Sequence, residues 1–239
     1  MKNNILLLVL FFVGCATVYN PATQKTEYYF IDDNTEVLMG KNIAQDITKE
    51  NKVLDDPTQL RYIKELGDHI AQVSDRNYLT YHFSILDEGG INAFSLPGGY
   101  IFVNKGLLDH ANKDEVAFVL AHEIAHVAAR HSVKRLQASL GINLLLGLAL
   151  KDVESDTINR AVSIVYNVVS LGYSRGDELL ADSLAVKYMH RAGYNPRAAV
   201  TLMEKLKEGH NDYTLVFLSS HPPPDERIKN IQEKIRDLQ

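Results

Sequence analysis

Residues 122–131 read His122-Glu123-Ile124-Ala125-His126-Val127-Ala128-Ala129-Arg130-His131, one glutamate set among three histidines. Helix geometry sorts the three. At about 100° per residue, His122 and His126 stand only ~40° apart, one turn from each other, so both imidazoles can grip one ion. Glu123 projects at the flank of the pair, where it can reach a water on that ion without binding the ion itself. His131 is nine residues beyond His122. A continuous helix carries it ~180° round, where it cannot share the ion and instead caps or decorates the far side. The stretch therefore offers two ligands and a base, and the remainder of any site lies elsewhere.

The surroundings support a buried helix. Asn112 is placed to cap its start, with Glu115 three residues on in a capping-box arrangement. Val119, Ala125 and Ala129 border the histidine face, so that face is apolar and closely packed. The alternative is a helix with two partly exposed histidines and a surface glutamate, and the apolar border speaks against it, because unpaired polar groups are costly to bury. The spacing is the His-Glu-x-x-His pattern by which zinc peptidases hold their metal. A catalytic zinc takes three protein ligands and leaves one position open. An extended motif, with glycine three and histidine six residues after the second ligand, is excluded, because those positions hold Ala129 and Ser132.

The other solution is a glutamate from a separate helix. Ser174-Arg175-Gly176-Asp177-Glu178-Leu179-Leu180-Ala181-Asp182 supplies a candidate. Glu178 and Asp182 are one turn apart and share a face with Ala181, Ala185 and Met189, a surface suited to close packing. Two inward acids repel each other unless a cation offsets them. Glu178 as ligand and Asp182 as hydrogen-bond partner of a ligating histidine would satisfy both. A solvated acidic helix start is the competing description; it suits Asp177 and not Asp182.

Length and composition fit one globular domain: 239 residues, 46% hydrophobic, 23% charged. A net charge of −5 with scattered basic residues gives no reason to expect nucleic acid as a partner. The N-terminus has a different character. Met1-Lys2-Asn3-Asn4 is followed by an apolar run, Ile5–Val13, and then Gly14-Cys15-Ala16. A basic start, a short apolar core and a small residue before the cut make a secretory signal, with a run far short of the ~20 residues that span a bilayer. Phe12-Val13-Gly14-Cys15 resembles a bacterial lipoprotein lipobox, though with phenylalanine where leucine is usual. This implies a signal over 1–14, acylation of Cys15, and residence on the periplasmic face of the outer membrane, to which Ala16 rather than aspartate points. Several acyl chains anchor firmly, since each buried CH₂ contributes ~0.8 kcal/mol. Cys15 is the only cysteine, so the exported fold has no disulfide.

Residues 15–33 are expected to form a lipidated tether, since 16–33 are polar and without periodicity, and 34–239 a single domain. Asn34–Asn51 and Thr58–Ser74 read as helices separated by Asp55-Asp56-Pro57, with Leu60, Ile63, Leu66, Ile70 and Val73 at helical spacing in the second. Tyr81, Phe83 and Ile85 alternate as a strand, Ile91–Leu96 follows Gly89-Gly90, and Pro97-Gly98-Gly99 turns the chain into Tyr100–Asn104. From about 106 onward the chain reads as helical. Leu144–Leu150 is too short to span a membrane and reads as a buried helix or a loop over a cleft. Tyr100–Asn104 either forms an edge that pairs with an extended substrate by β-augmentation or is ordinary sheet. His221, between Ser220 and Pro222-Pro223-Pro224, either approaches the metal or contacts Asp225 or Arg227.

Taken together, Asn92 through Ile101, His122 through His126, Ser174 through Asp182, and Ser220-His221-Pro222 with Arg227 resemble the HtpX- and CAAX-prenyl-protease-like zinc metallopeptidases, in particular their exported lipoprotein members. The blocks occur in that family's order and cover roughly residues 30–238. The resemblance implies an α+β, mainly helical zincin-like domain with a small sheet beside the His122–His126 helix. It implies one zinc ion held by His122, His126 and Glu178, Glu123 as general base, and Asp182 behind the ligands. His221 and Arg227 enter as transition-state or latency residues, and Asn92, Ala93, Phe94, Tyr100, Ile101 and Phe102 as a substrate-binding edge. The implied activity is endopeptidase cleavage of unfolded or misassembled envelope proteins, in the company of outer-membrane lipid and the outer-membrane assembly machinery. A chaperone-like or latent lipoprotein that binds exposed strands with little proteolysis is the alternative. Transmembrane helices around the site and a following helical-repeat domain, present in other members, have no counterpart in this sequence.

Overall fold

The computed structural model describes residues 16–139, 172–208, 221 and 224–238. A hairpin of β1 (Ala16–Asn20) and β2 (Lys25–Tyr29) leads into two helices, α1 (Asp33–Glu50) and α2 (Pro57–Gln72). Three strands follow: β3 (His82–Leu86), β4 (Ala93–Leu96) and β5 (Tyr100–Asn104). The remainder is helical: α3 (Lys105–His110), α4 (Lys113–Ala128), α5 (His131–Ser139), α6 (Arg175–Arg191), α7 (Arg197–Glu208) and α8 (Pro224–Arg236). The class is α+β and mainly helical, with the sheet beside α4, as the sequence implies. No helix among the described residues is long and apolar enough to cross a membrane. The signal, Cys15 and Leu144–Leu150 lie outside the described residues.

The helix that carries the motif is also the centre of the fold. Asn112 accepts from the N–H groups of Asp114 and Glu115 at 3.0 and 3.1 Å, and Glu115 returns a bond to the Asn112 N–H at 2.9 Å. This closed box fixes where α4 starts. Every residue from Glu115 to Ala128 is buried, so the helix is surrounded and not merely amphipathic. Phe118, Leu120 and Ile124 are fully buried, and each contributes ~1.5–3 kcal/mol through that burial. On one side α4 packs on α6, and Ala121, Ala125, Ala181 and Ala185 on these two helices are all fully buried. Small side chains bring the two backbones close. On the other side lies the sheet.

The strand order is β3-β5-β4, with β3 parallel and β4 antiparallel to β5. The pleat divides the side chains between two cores. Phe83, Ile85, Ala93, Ile101 and Val103 face the α2 and α4 layer, while Leu86, Leu96 and Phe102 face α1 and α5. Ser95 pairs with Ile101 across the sheet and so shares the α4 side. Between β4 and β5, Gly98 adopts φ 74° and gives its N–H to Glu36 Oε1 at 3.0 Å. A Cβ there would stand 2.5 Å from the Val37 Cα, so both conformation and space call for glycine.

Two expectations need correction. Residues 16–33 do not form a tether: they form the β1–β2 hairpin and the start of α1. Its anchors are few and are not periodic. Tyr29 and Ile31 are buried against α1 and α5, the Arg130 guanidinium lies 4.0 Å above the Tyr29 ring, and Gln137 accepts from the Phe30 N–H at 2.8 Å. Tyr100–Asn104 is not an edge. It is the middle strand, with its backbone engaged on both sides, so Tyr100, Ile101 and Phe102 have no free ladder to offer. Among the described residues the edges are β3 and β4, which leaves Asn92, Ala93 and Phe94 at an edge.

Candidate metal centre

Three side chains converge where α4 faces α6. His122 Nε2 lies 3.0 Å from His126 Nε2, and each lies 3.5 Å from an oxygen of Glu178. His221 joins them, its Nδ1 at 3.0 and 3.1 Å from the two Glu178 oxygens. One ligand atom from each of these four residues lies within 4.8 Å of the others, and all four are buried. A donor set with bonds of 2.0–2.2 Å at the tetrahedral angle has its atoms about 3.4 Å apart, so the two histidines and Glu178 fit one ion.

The outer atoms of the two histidines are held as well. His122 Nδ1 lies 3.0 Å from Asp182 Oδ1, and His126 Nδ1 lies 2.8 Å from His131 Nδ1. Both histidines thus turn Nε2 inward. Arg227 takes Asp182 in a fork, Nε to Oδ2 and Nη2 to Oδ1, both at 2.7 Å, and its Nη1 stands 2.9 Å from Glu178 Oε2. The Tyr173 ring stacks on His126 at 3.8 Å, and its hydroxyl shares a 2.7 Å bond with Ser132.

Glu123 is the exception. Both of its oxygens are buried without a hydrogen-bond partner, and the His221 Nε2 lies 3.6 Å away. Burying a carboxylate in this way raises its pKa, with His221 and His122 pulling the other way. A carboxylate so placed is poised to take a proton. Burial acts on the two histidines and on Glu178 too. It would push His122 down, but Asp182 and Glu178 overcome it and lift the imidazole to about 9. It pushes His126 down to about 3 against the pull of Glu178. Glu178 is held well below the usual carboxylate range, because His221, His122 and His126 outweigh its burial. Asp182 and Glu178 thus favour the protonated form of His122, while burial favours the neutral form of His126; a divalent cation would compete with the proton on His122.

The structure brings His122, Glu123, His126, Glu178, Asp182, His221 and Arg227 into one buried cluster. Its treatment of His131 differs from the sequence reading. α4 ends at Ala128, Arg130 turns left-handed at φ 56°, and α5 begins at His131. The ~180° rotation assumed one unbroken helix; the turn instead delivers His131 to the back of His126. Tyr173 was missed, and its place beside Ser174 in the chain is the only signal that could have suggested it.

A paired helix-borne histidine set, completed by a glutamate from a second helix and flanked by an unpartnered glutamate, is the arrangement of a metallopeptidase centre. Comparison with known sequences agrees. The pattern of peptidase family M48 matches residues 57–235, and this chain belongs to that family. Mitochondrial metalloendopeptidase OMA1 of Schizosaccharomyces pombe is 33% identical over 211 residues, covering 83% of this chain and 62% of that protein. A putative beta-barrel assembly-enhancing protease of Vibrio cholerae is 27% identical over 214 residues, covering 84% and 44%. Metalloprotease YcaL of Escherichia coli K12 is 27% identical over 208 residues, covering 84% and 76%. The chain thus spans about half the length of several curated relatives that it matches.

Proposed function

We propose that the protein is a zinc-dependent endopeptidase, with His122, His126 and Glu178 as ligands and Glu123 as general base. The observation that carries this is the convergence of His122 Nε2, His126 Nε2 and the Glu178 carboxylate within 3.5 Å of one another, beside the unpartnered Glu123. The zinc that His122, His126 and Glu178 would hold would supply Lewis acidity to the reacting water and to the peptide carbonyl. Glu123 takes the proton of the attacking water and delivers it to the departing amine. Asp182, fixed by Arg227, holds the His122 ring. An extended substrate would add to β4 through Asn92, Ala93 and Phe94, the edge nearest α4.

The substrates in this reading are unfolded or misassembled cell-envelope proteins, reached from the periplasmic face of the outer membrane through acylated Cys15. Support comes from the lipobox-like Phe12–Cys15 and from relatives named for beta-barrel assembly. The same relatives support contact with outer-membrane assembly machinery. Because OMA1 relatives carry a mitochondrial name, location rests on the N-terminal sequence and not on kinship.

A latent form of the same enzyme is favoured by one observation. His122, Glu123, His126, Glu178 and His221 are each at most 1% exposed, and His221 occupies the side of the cluster facing Glu123. Peptide entry therefore requires His221 to move. The test is zinc content together with casein cleavage for the parent, Glu123→Gln and His221→Ala. Stoichiometric zinc, cleavage by the parent or by His221→Ala, and none by Glu123→Gln is the expected pattern. Stoichiometric zinc with no cleavage even after His221→Ala would sink the peptidase and leave the strand-binding, chaperone-like reading.

A further inference from the structure

One buried histidine takes no part in the chemistry above. His131 is 1% exposed, and its Nδ1 stands 2.8 Å from His126 Nδ1. A hydrogen bond between two imidazole nitrogens contains one proton, and the two rings must agree on which nitrogen carries it. A neutral imidazole that gives its Nε2 lone pair to an ion keeps its proton on Nδ1. His126 is then the donor and His131 the acceptor. His131 must in turn carry its own proton on Nε2, and that atom faces Asp177 Oδ1 at 3.5 Å. With the His126 Nε2 given to an ion, only this arrangement lets the two imidazoles share the bond; the His131 Nε2, 3.5 Å from Asp177 Oδ1, makes no hydrogen bond.

We propose that His131 is a positioning residue for His126: its Nδ1 accepts the His126 Nδ1–H and so fixes the tautomer and tilt that aim Nε2 at the ion. The inference rests on the metal centre proposed above. The neighbouring structure is built for this contact. Arg130, at φ 56°, turns the chain sharply enough to bring His131 back to α4. Ser132 anchors the Tyr173 hydroxyl, and the Tyr173 ring lies flat on His126 at 3.8 Å and an angle of 17°. The ring is thus confined on its face by Tyr173 and at its outer nitrogen by His131. The two ligand histidines are treated alike, since Asp182 meets the outer nitrogen of His122. The acids of α6 serve the whole set: Glu178 as ligand, Asp182 behind His122, and Asp177 behind His131.

The test uses the full chain in detergent, with zinc as the probe. Zinc affinity is measured by competition with a chromophoric chelator for the parent, His131→Leu and His131→Asn. Leucine keeps volume without an acceptor, while asparagine places a carbonyl oxygen close to where Nδ1 was. Loss of such a partner weakens metal binding by roughly 10–100-fold; that loss is expected for His131→Leu, with most of it recovered in His131→Asn. A purely space-filling histidine would give the reverse order. In the zinc-loaded parent labelled with ¹⁵N-histidine, the proposal requires a through-hydrogen-bond coupling between His126 Nδ1 and His131 Nδ1. This measurement decides the matter even where a variant fails to fold. Absence of that coupling, or equal zinc affinity for His131→Leu and the parent, overturns the positioning role. A parent that binds no zinc overturns the metal centre itself, a distinguishable result.

Discussion

Two clusters of buried charge lie at opposite ends of the second half of α4, and they are built to different rules. At the end of the helix, Arg76 meets Glu36 through Nη1 at 3.0 Å and Nη2 at 3.2 Å, and Arg130 meets it at 2.8 Å. Asp33 joins both arginines at 3.0 and 3.3 Å. Spare donors go to the carbonyls of Val127 and Ile31. Two acids face two guanidiniums, and the charges cancel. Around His122 the sum differs. Among the described residues, Glu123, Glu178 and Asp182 face one guanidinium, Arg227, which leaves −3 + 1 = −2 before any imidazole takes up a proton. Buried charge without a partner is strongly disfavoured. The first cluster is complete as protein; the second would be completed by a divalent cation. Burial of charged groups is common to both, and only the imbalance marks a site.

The contrast can be broken in several ways. The largest expected effect is on catalysis: Glu123→Gln should lower turnover by about 10²–10⁴-fold or more while zinc content, measured by elemental analysis, stays at the parent level. Next are the two clusters' arginines. Arg76→Met leaves Glu36 with Arg130 as its one guanidinium partner and should destabilise the fold by up to about 3–5 kcal/mol, equally with zinc and with chelator. Arg227→Met should cost a similar amount with chelator and visibly less with zinc, because the ion takes over part of the Glu178 charge. Thermal unfolding of both variants in both conditions reads this, and equal zinc dependence for the two would erase the distinction drawn here. Removing the metal from the parent should lower its stability by about 4 kcal/mol at zinc a thousandfold above Kd, seen as a zinc-dependent Tm. A smaller effect is expected at Gly98→Ala, where a left-handed backbone and the Val37 contact cost about 1–3 kcal/mol. The smallest is Lys49→Ala. Its partner Asp46 is half exposed, so the Tm should stay within about 2 °C of the parent.

Much of this was legible in the residues. The capping box at Asn112 and Glu115, the two histidines a turn apart and the inward pair Glu178 and Asp182 are local patterns, and local patterns survive folding. The alternation of Phe83 and Ile85 marked a strand for the same reason. What the residues did not disclose is set by distant contacts. The hairpin is held by Tyr29 and Ile31 docking on α1 and α5, and no period announces two isolated anchors. Strand order is a property of the closed sheet, so Tyr100–Asn104 looked as eligible for an edge as Ala93–Leu96. His131 was misplaced because a single left-handed residue, Arg130, cancels an extrapolation that assumes continuous helix. Nothing in an arginine codon suggests a positive φ.

Arg130 has a consequence in mechanical terms. Its side chain is clamped to the hairpin, through the Ile31 carbonyl at 2.7 Å and the Tyr29 ring at 4.0 Å, and its backbone is the bend that presents His131 to His126. The residue is a joint with one arm on the N-terminal ribbon and the other, through His131, on the back of His126. A load applied to the ribbon would therefore pass through the same residue whose bend sets His131 against His126.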